Sequence, residues 1–260
     1  MGKTGIIIAS FGTTNLSAIE NNIQKCEDVI RSHFNSYKVQ RAFTSTIVKK
    51  RVLEKFNIHV DNVQEALEKM KNEKYQSVVI QPLHIIPGKE FHEILETAKS
   101  FEKDFKRIIV GKPLLHSIND YDLVINAVIK IFSGLKRDQA VVLMGHGSAH
   151  PANSCYACLQ LKLSDNHENF FIACVDGYPE LKDILPKLRR KNIHEITLMP
   201  FMIVSGEHVM NDMASNESYS WKEILMQNGF TVEVTFMGLG EINGIQEIFI
   251  NHIKDAFDNL

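Results

Sequence analysis

Cysteine is scarce: four residues in 260, at positions 26, 155, 158 and 174. So few, so unevenly spread, cannot staple a chain of this length, which excludes a disulfide framework and leaves free thiols as the default. The Cys155-Tyr156-Ala157-Cys158 spacing would suit a redox pair or half a zinc site, but no second pair completes four zinc ligands, so two ordinary helix cysteines are expected. Nothing approaches the roughly 20 consecutive apolar residues of a membrane span. The opening Met1-Gly2-Lys3-Thr4 runs directly into Gly5-Ile6-Ile7-Ile8-Ala9, too short a run for a secretory signal and without a cleavage site, so a cytoplasmic protein is expected. Charge of one sign is also missing. Lys and Arg total 29 against 31 Asp and Glu, a formal balance of −2, which gives no broad positive field and argues against a nucleic-acid partner. No G-x-G-x-x-G or G-x-x-x-x-G-K-[ST] follows an expected strand, which disfavours a nucleotide-binding enzyme.

What is present is the material of an ordinary globular protein, 44% apolar and 23% charged. At this length two compact lobes sharing an interface are the natural expectation. Short apolar runs alternate with segments of helical period, the pattern of parallel sheets covered by helices, so the fold class is α/β. The first lobe reads strand 5–12, helix 15–34, strand 37–43, helices near 46–56 and 61–73, strand 77–86, helix 89–104 and strand 107–114. A helix at 118–134 leads into strand 139–145, helix 153–164, strand 169–175, helix 180–191, strand 195–204, a helical region from 207, strand 231–237 and a last helix 243–258. The expected boundary divides a lobe of residues 1–117 from one of 118–260.

The halves also resemble each other. Ser10-Phe11-Gly12-Thr13 corresponds to Gly145-His146-Gly147-Ser148, and Gln81-Pro82-Leu83-His84-Ile85-Ile86-Pro87-Gly88-Lys89-Glu90 to Met199-Pro200-Phe201-Met202-Ile203-Val204-Ser205-Gly206-Glu207-His208. The shared order points to an internal duplication that sets Glu90 and His208 at equivalent positions. Two such lobes would enclose a cleft.

In open α/β sheets, ligands bind beyond the carboxyl ends of the strands, so polar residues there are the candidates. His146 stands between two glycines after the strand Ala140–Met144, where the backbone can turn sharply and leave the imidazole accessible; a structural histidine is the plain alternative. His208 follows Gly206 beyond the next strand of that lobe. Asp176 leaves the strand Phe170–Val175 just before Gly177, where an ordinary turn residue would also sit. Together two imidazoles and a carboxylate form a mixed nitrogen and oxygen set suited to Co²⁺, Fe²⁺, Ni²⁺ or Zn²⁺, with open positions for a metal that must be released. Glu90 either faces such a site from the other lobe or serves only the first turn of its helix. His84 is expected at a strand end or in the core, and His150 and His167 in loops. The basic cluster Lys49-Lys50-Arg51 reads as a solvated helix face, with substrate carboxylates as the alternative partner.

Several segments resemble one family: Ile7-Ile8-Ala9-Ser10-Phe11-Gly12-Thr13, Arg41-Ala42-Phe43-Thr44-Ser45, Leu83-His84-Ile85-Ile86, Met144-Gly145-His146-Gly147, and Gly206-Glu207-His208 with Asn211-Asp212-Met213-Ala214-Ser215. The chain resembles, over almost its whole length, the anaerobic cobalt chelatases of corrin biosynthesis, class II chelatases with a ferrochelatase-like fold. The resemblance implies a two-lobed lyase that inserts Co²⁺ into sirohydrochlorin or precorrin-2. His146 would be proton acceptor and metal ligand, His208 and Asp176 would complete the metal site, and Glu90 would act in the same cleft. Asp176 departs from the family's usual glutamate and shortens the reach by one methylene. The metal is then a substrate, with no prosthetic group expected; the tetrapyrrole is the other partner, and a homo-oligomer is compatible with this reading. The alternatives are insertion of Fe²⁺ or Ni²⁺, or a non-catalytic tetrapyrrole or metal carrier.

Overall fold

Each half of the chain builds one four-stranded parallel sheet. The computed structural model describes residues 2–207 and 209–260. The first half runs β1 (Thr4–Ser10), α1 (Leu16–Ala18), α2 (Lys25–His33), β2 (Lys38–Phe43), α3 (Thr46–Phe56), α4 (Val63–Asn72), β3 (Ser77–Pro82), α5 (Lys89–Ser100) and β4 (Arg107–Val110). After α6 (Ile118–Ile129) come β5 (Gln139–Gly147), α7 (Ser154–Asn166), β6 (Phe170–Asp176), α8 (Leu181–Arg190), β7 (Glu195–Pro200), α9 (Trp221–Gln227), β8 (Thr231–Val234) and α10 (Asn243–Asp258). The expected two-lobed α/β architecture is observed. Among the described residues no helix is long and apolar enough to cross a membrane.

The inner strands β1, β3 and β5 carry continuous apolar runs because helices cover both faces of each sheet, whereas the edge strands β2, β4 and β8 are mixed and partly exposed. The orders β2-β1-β3-β4 and β6-β5-β7-β8 are the same arrangement repeated. Register repeats with it: Ala9 lies opposite Pro82 and Met144 opposite Pro200. One residue on, Leu83 N donates to Ala9 O and Phe201 N to Met144 O, both at 2.7 Å. The structure thus repeats the aligned segments position by position.

The expected strands 77–86 and 195–204 stop early, at Pro82 and Pro200, since proline has no N–H to continue the ladder. Their apolar character persists because Leu83, Phe201 and Ile203 enter a core shared by both lobes. The expected helix 15–34 contains a π-helical stretch, Ile19–Gln24, between α1 and α2. The helical region from 207 is a second one, Val209–Met213, followed by α9.

The shared core joins Ile6, Ile8 and Val79 of one sheet to Val141, Leu143 and Ile172 of the other, with α6 and α10 between them through Tyr121, Val124, Phe249 and Ile253. Asp120 on α6 accepts from His252 Nε2 on α10 at 3.1 Å, and Ser117 N donates to the other carboxylate oxygen at 2.7 Å. All four cysteines are free; burial pushes the Cys26 and Cys174 thiols up to about 12, so they are protonated apolar side chains. Cys155 and Cys158 on α7 pack in the same apolar cluster as Tyr121 on α6.

The first lobe also encloses a carboxylate. Glu27 on α2 is fully buried and is held by Arg41 on β2 through Nε at 2.7 Å and Nη2 at 2.8 Å, and by Arg31 at 2.8 Å. A bidentate guanidinium matches the planar carboxylate, and losing it leaves a poorly compensated buried charge. Arg41→Ala is therefore expected to destabilise the protein by on the order of 3 kcal/mol, measured as a lowered urea midpoint at unchanged m-value. Arg41→Lys should recover only part of that loss.

Candidate active site between the lobes

The loops at the carboxyl ends of the two sheets face each other. Thr14, beyond β1, donates from Oγ1 to Glu207 Oε1, beyond β7, at 2.8 Å. Asn22, buried in the first π-helical stretch, accepts from Ser205 N at 3.0 Å and donates to Glu241 at 2.7 Å. On the other side, the ring of His92, on α5 beyond β3, lies 5.1 Å from that of His150, beyond β5. The end of β1 thus meets the end of β7, and the end of β3 meets the end of β5. Because β1 corresponds to β5 and β3 to β7, this is the reciprocal pattern of a two-fold interface between copies.

His146 is exposed at the last turn of β5. Gly147 takes φ +79, as Gly12 takes +87 at the equivalent place. A Cβ on Gly147 would stand 1.8 Å from the carbonyl oxygen of Asp176, its register partner on β6. Only glycine admits that approach, which brings the backbone bearing His146 against the backbone bearing Asp176. His146 Nδ1 lies 3.0 Å from Gly147 O. A carbonyl only accepts, so Nδ1 is the donor in this contact, and in a neutral ring that bond directs the basic nitrogen to Nε2. Asp176 is exposed beside this turn. The other expected ligand, His208, lies outside the described residues, between Glu207 at the seam and the π-helical Val209–Met213.

Glu90 is half-buried in the first turn of α5, two residues before His92. Its charge is felt by His84, whose pKa burial nevertheless pushes down to about 4. His84 Nε2 is 3.4 Å from Thr44 Oγ1, and its Nδ1 is buried with no hydrogen-bond partner. His84 is therefore a neutral, largely enclosed imidazole near Glu90, just past the end of β3.

Sequence reasoning does not single out His92 and leaves His150 unassigned. The repeat was the usable signal, since it matches His150 to Asn15 and both cap the next helical turn, His150 Nδ1 accepting from Ala152 N and Asn15 Oδ1 from Ala18 N. The repeat also sets Phe11, which is 49% exposed, where the second lobe has His146. Ile47, Tyr178, Met210 and Phe236 are likewise large, exposed and beyond strand carboxyl ends, the kind of apolar surface that marks a binding face. Among the described residues, three ligand-type atoms come within 4.8 Å of one another at His59, Asp61 and Glu65. There Asp61 accepts twice from Lys69 at 2.7 Å and Glu65 is bonded to Lys49, so this cluster is an ion-pair network already neutralised.

The His84 shift has a stability consequence. The unfolded imidazole takes a proton near pH 6.5 and the folded one only near 4, so stability is full above pH 6.5 and falls as pH drops through this window. The stability advantage of the native protein over His84→Gln should shrink by about 2 kcal/mol from pH 7 to 4.5, measured by urea unfolding at each pH. A pH-independent difference would contradict a buried neutral His84.

Comparisons with known proteins bear on the family and the fold. The family described as cobalt chelatase (CbiK) matches residues 4–258. A sirohydrochlorin cobaltochelatase of Salmonella typhimurium is 34% identical over 256 residues, covering 98% of this chain and 97% of its own. The sirohydrochlorin cobaltochelatase CbiKC of Nitratidesulfovibrio vulgaris is 34% identical over 263 residues, covering 100% and 93%. Among solved structures, SirB from Bacillus subtilis with Fe³⁺ superposes with a TM-score of 0.68 at 16% identity, covering 99% of this chain and 96% of that one, a likeness of fold. A second SirB structure, a sirohydrochlorin chelatase in complex with cobalt, gives 0.59 at 14% identity with the same coverage. With a family match over nearly every residue and two full-length relatives, the chain belongs to the cobalt chelatase family.

Proposed function

We propose that this chelatase inserts Co²⁺ into sirohydrochlorin, with His146 as proton acceptor and metal ligand, Asp176 and His208 as further ligands, and Glu90 as a carboxylate acting from the opposite lobe. The carrying observation is the His146 turn, where an exposed imidazole, its Nδ1 3.0 Å from Gly147 O, stands beside the exposed Asp176 on a backbone approach that only glycine allows. A free-base tetrapyrrole holds two inner N–H protons, and an entering divalent ion expels both. A neutral imidazole can take one of them, and a carboxylate at Glu90 is suited to the other. The exposed Phe11, Ile47 and Met210 suit the apolar face of the macrocycle. His84, uncharged beside Glu90, leaves that carboxylate without a cationic histidine partner at neutral pH.

The same reading treats the metal as a substrate, sets the enzyme in the cytoplasm, and divides it into lobes 1–117 and 118–260, with Ser117 capping α6 at the junction. The test is anaerobic absorbance spectroscopy with sirohydrochlorin and Co²⁺, Fe²⁺ or Ni²⁺ in turn. Multiple turnovers are expected, fastest with Co²⁺. His146→Ala should lower kcat by roughly a hundredfold or more while the Kd for sirohydrochlorin stays nearly unchanged. Binding without turnover for every ion would make the protein a carrier, and faster turnover with iron or nickel would replace the metal assignment.

A further inference from the structure

The basic cluster at the start of α3 separates into different environments. Lys49 is bonded to Glu65 on α4, and Lys50 pairs with Glu54 along its own helix at 3.8 Å. Arg51 has no carboxylate partner among the described residues; neither has Lys55, whose ammonium lies 5.2 Å from the Phe56 ring. Ile47, Arg51 and Lys55 follow at intervals of four and form one stripe along α3. Ile47 is 64% exposed.

That stripe borders a pocket lined by Thr14, Arg51, Glu54, Lys55 and Glu207. Four of these belong to the first lobe and one to the second, and Thr14 and Glu207 are bonded to each other across the seam. The pocket therefore opens at the cleft, beside the residue preceding His208. Its two carboxylates already have partners, Glu207 in Thr14 and Glu54 in Lys50, whereas among the described residues its two cations have no carboxylate partner.

We infer that Arg51 and Lys55 form a subsite for the peripheral carboxylates of the tetrapyrrole, with Ile47 against the ring edge. The inference rests on the chelatase reading above. Sirohydrochlorin carries acetate and propionate groups around an apolar ring, so a substrate lying on Phe11 and Ile47 presents anions at its rim. A guanidinium and an ammonium four residues apart match such a rim: Arg51 can hold one carboxylate in bidentate fashion while Lys55 meets a neighbour as a point charge. The subsite would orient the macrocycle in its plane and favour acid-bearing tetrapyrroles over esterified ones.

The test is Arg51→Gln/Lys55→Gln in the full chain, with Lys103→Gln as control; Lys103 is exposed and precedes β4, at the amino end of the sheet. Sirohydrochlorin binding is followed by fluorescence quenching, and cobalt insertion by absorbance. The double variant is expected to raise both Kd and KM for sirohydrochlorin about five- to tenfold, with kcat within twofold and the KM for Co²⁺ unmoved. The native affinity should weaken as salt rises from about 0.05 to 0.5 M, and this dependence should flatten in the double variant but not in Lys103→Gln. Arg51→Lys with Lys55 intact should recover only part of the affinity, since an ammonium keeps the charge but not the bidentate fork. Unchanged sirohydrochlorin binding in the double variant, or an equal loss in Lys103→Gln, would overturn the subsite. Binding is read without turnover, so a native protein that binds but never inserts cobalt would sink the chelatase reading while the subsite is still decided.

Discussion

The two sheets are held by one apolar core, and the site exists only because that core fixes their carboxyl ends face to face. Ile6 and Val79 from one sheet, Val141 and Met199 from the other, and the inner faces of α6 and α10 belong to the same buried cluster. A core of this kind is close-packed and resists gradual deformation. Where it reaches the surface, polar contacts fix the alignment. Asn22 spans from the first lobe to Ser205 and Glu241, and Gly238 and Gly240 leave room for it, since a Cβ on either would fall within 2.8 Å of an Asn22 atom. Ser205 begins the segment that leads to Gly206 and Glu207, so the stitch that joins the lobes also sets the segment up to the contact between Thr14 and Glu207.

A repeated fold has been put to unequal use. Both halves make the same strand order and the same positive-φ glycine turn. At that turn the second half presents His146 and the first presents Phe11. Register carries the comparison to the neighbouring strand: Gly145 lies opposite Cys174 and Ser10 opposite Phe43, which matches Asp176 to Ser45, the N-cap of α3. At these matched positions the second lobe thus offers an imidazole and a carboxylate where the first offers an aromatic ring and a hydroxyl. Such a division suits an ion held on one side and a broad ring lying on the other.

Much of the architecture is legible in the sequence because strands buried on both faces read as unbroken apolar runs and helices keep their own period. The reading errs where apolar runs outlast the ladder: beyond Pro82 and Pro200 the chain stays hydrophobic for the sake of the shared core, not for a strand. His146, Asp176 and Glu90 are legible as candidates because strand ends and flanking glycines mark them. Contacts across the seam are not, since His92 against His150 and Thr14 against Glu207 depend on how two lobes dock, and sequence spacing is silent about that. The basic cluster at 49–51 shows the same limit. Its residues look alike in sequence, and only the positions of Glu65 and Glu207 separate Lys49 from Arg51.

The central claim is that the cobalt ion is held at the His146 turn, and the most direct measurement is anomalous diffraction at the cobalt edge from crystals soaked anaerobically in Co²⁺. The account predicts a peak about 2.1 Å from His146 Nε2, with Nδ1 still bonded to Gly147 O and Asp176 or His208 completing the coordination. A peak confined to His59, Asp61 and Glu65, or coordination through Nδ1 of His146, would contradict it.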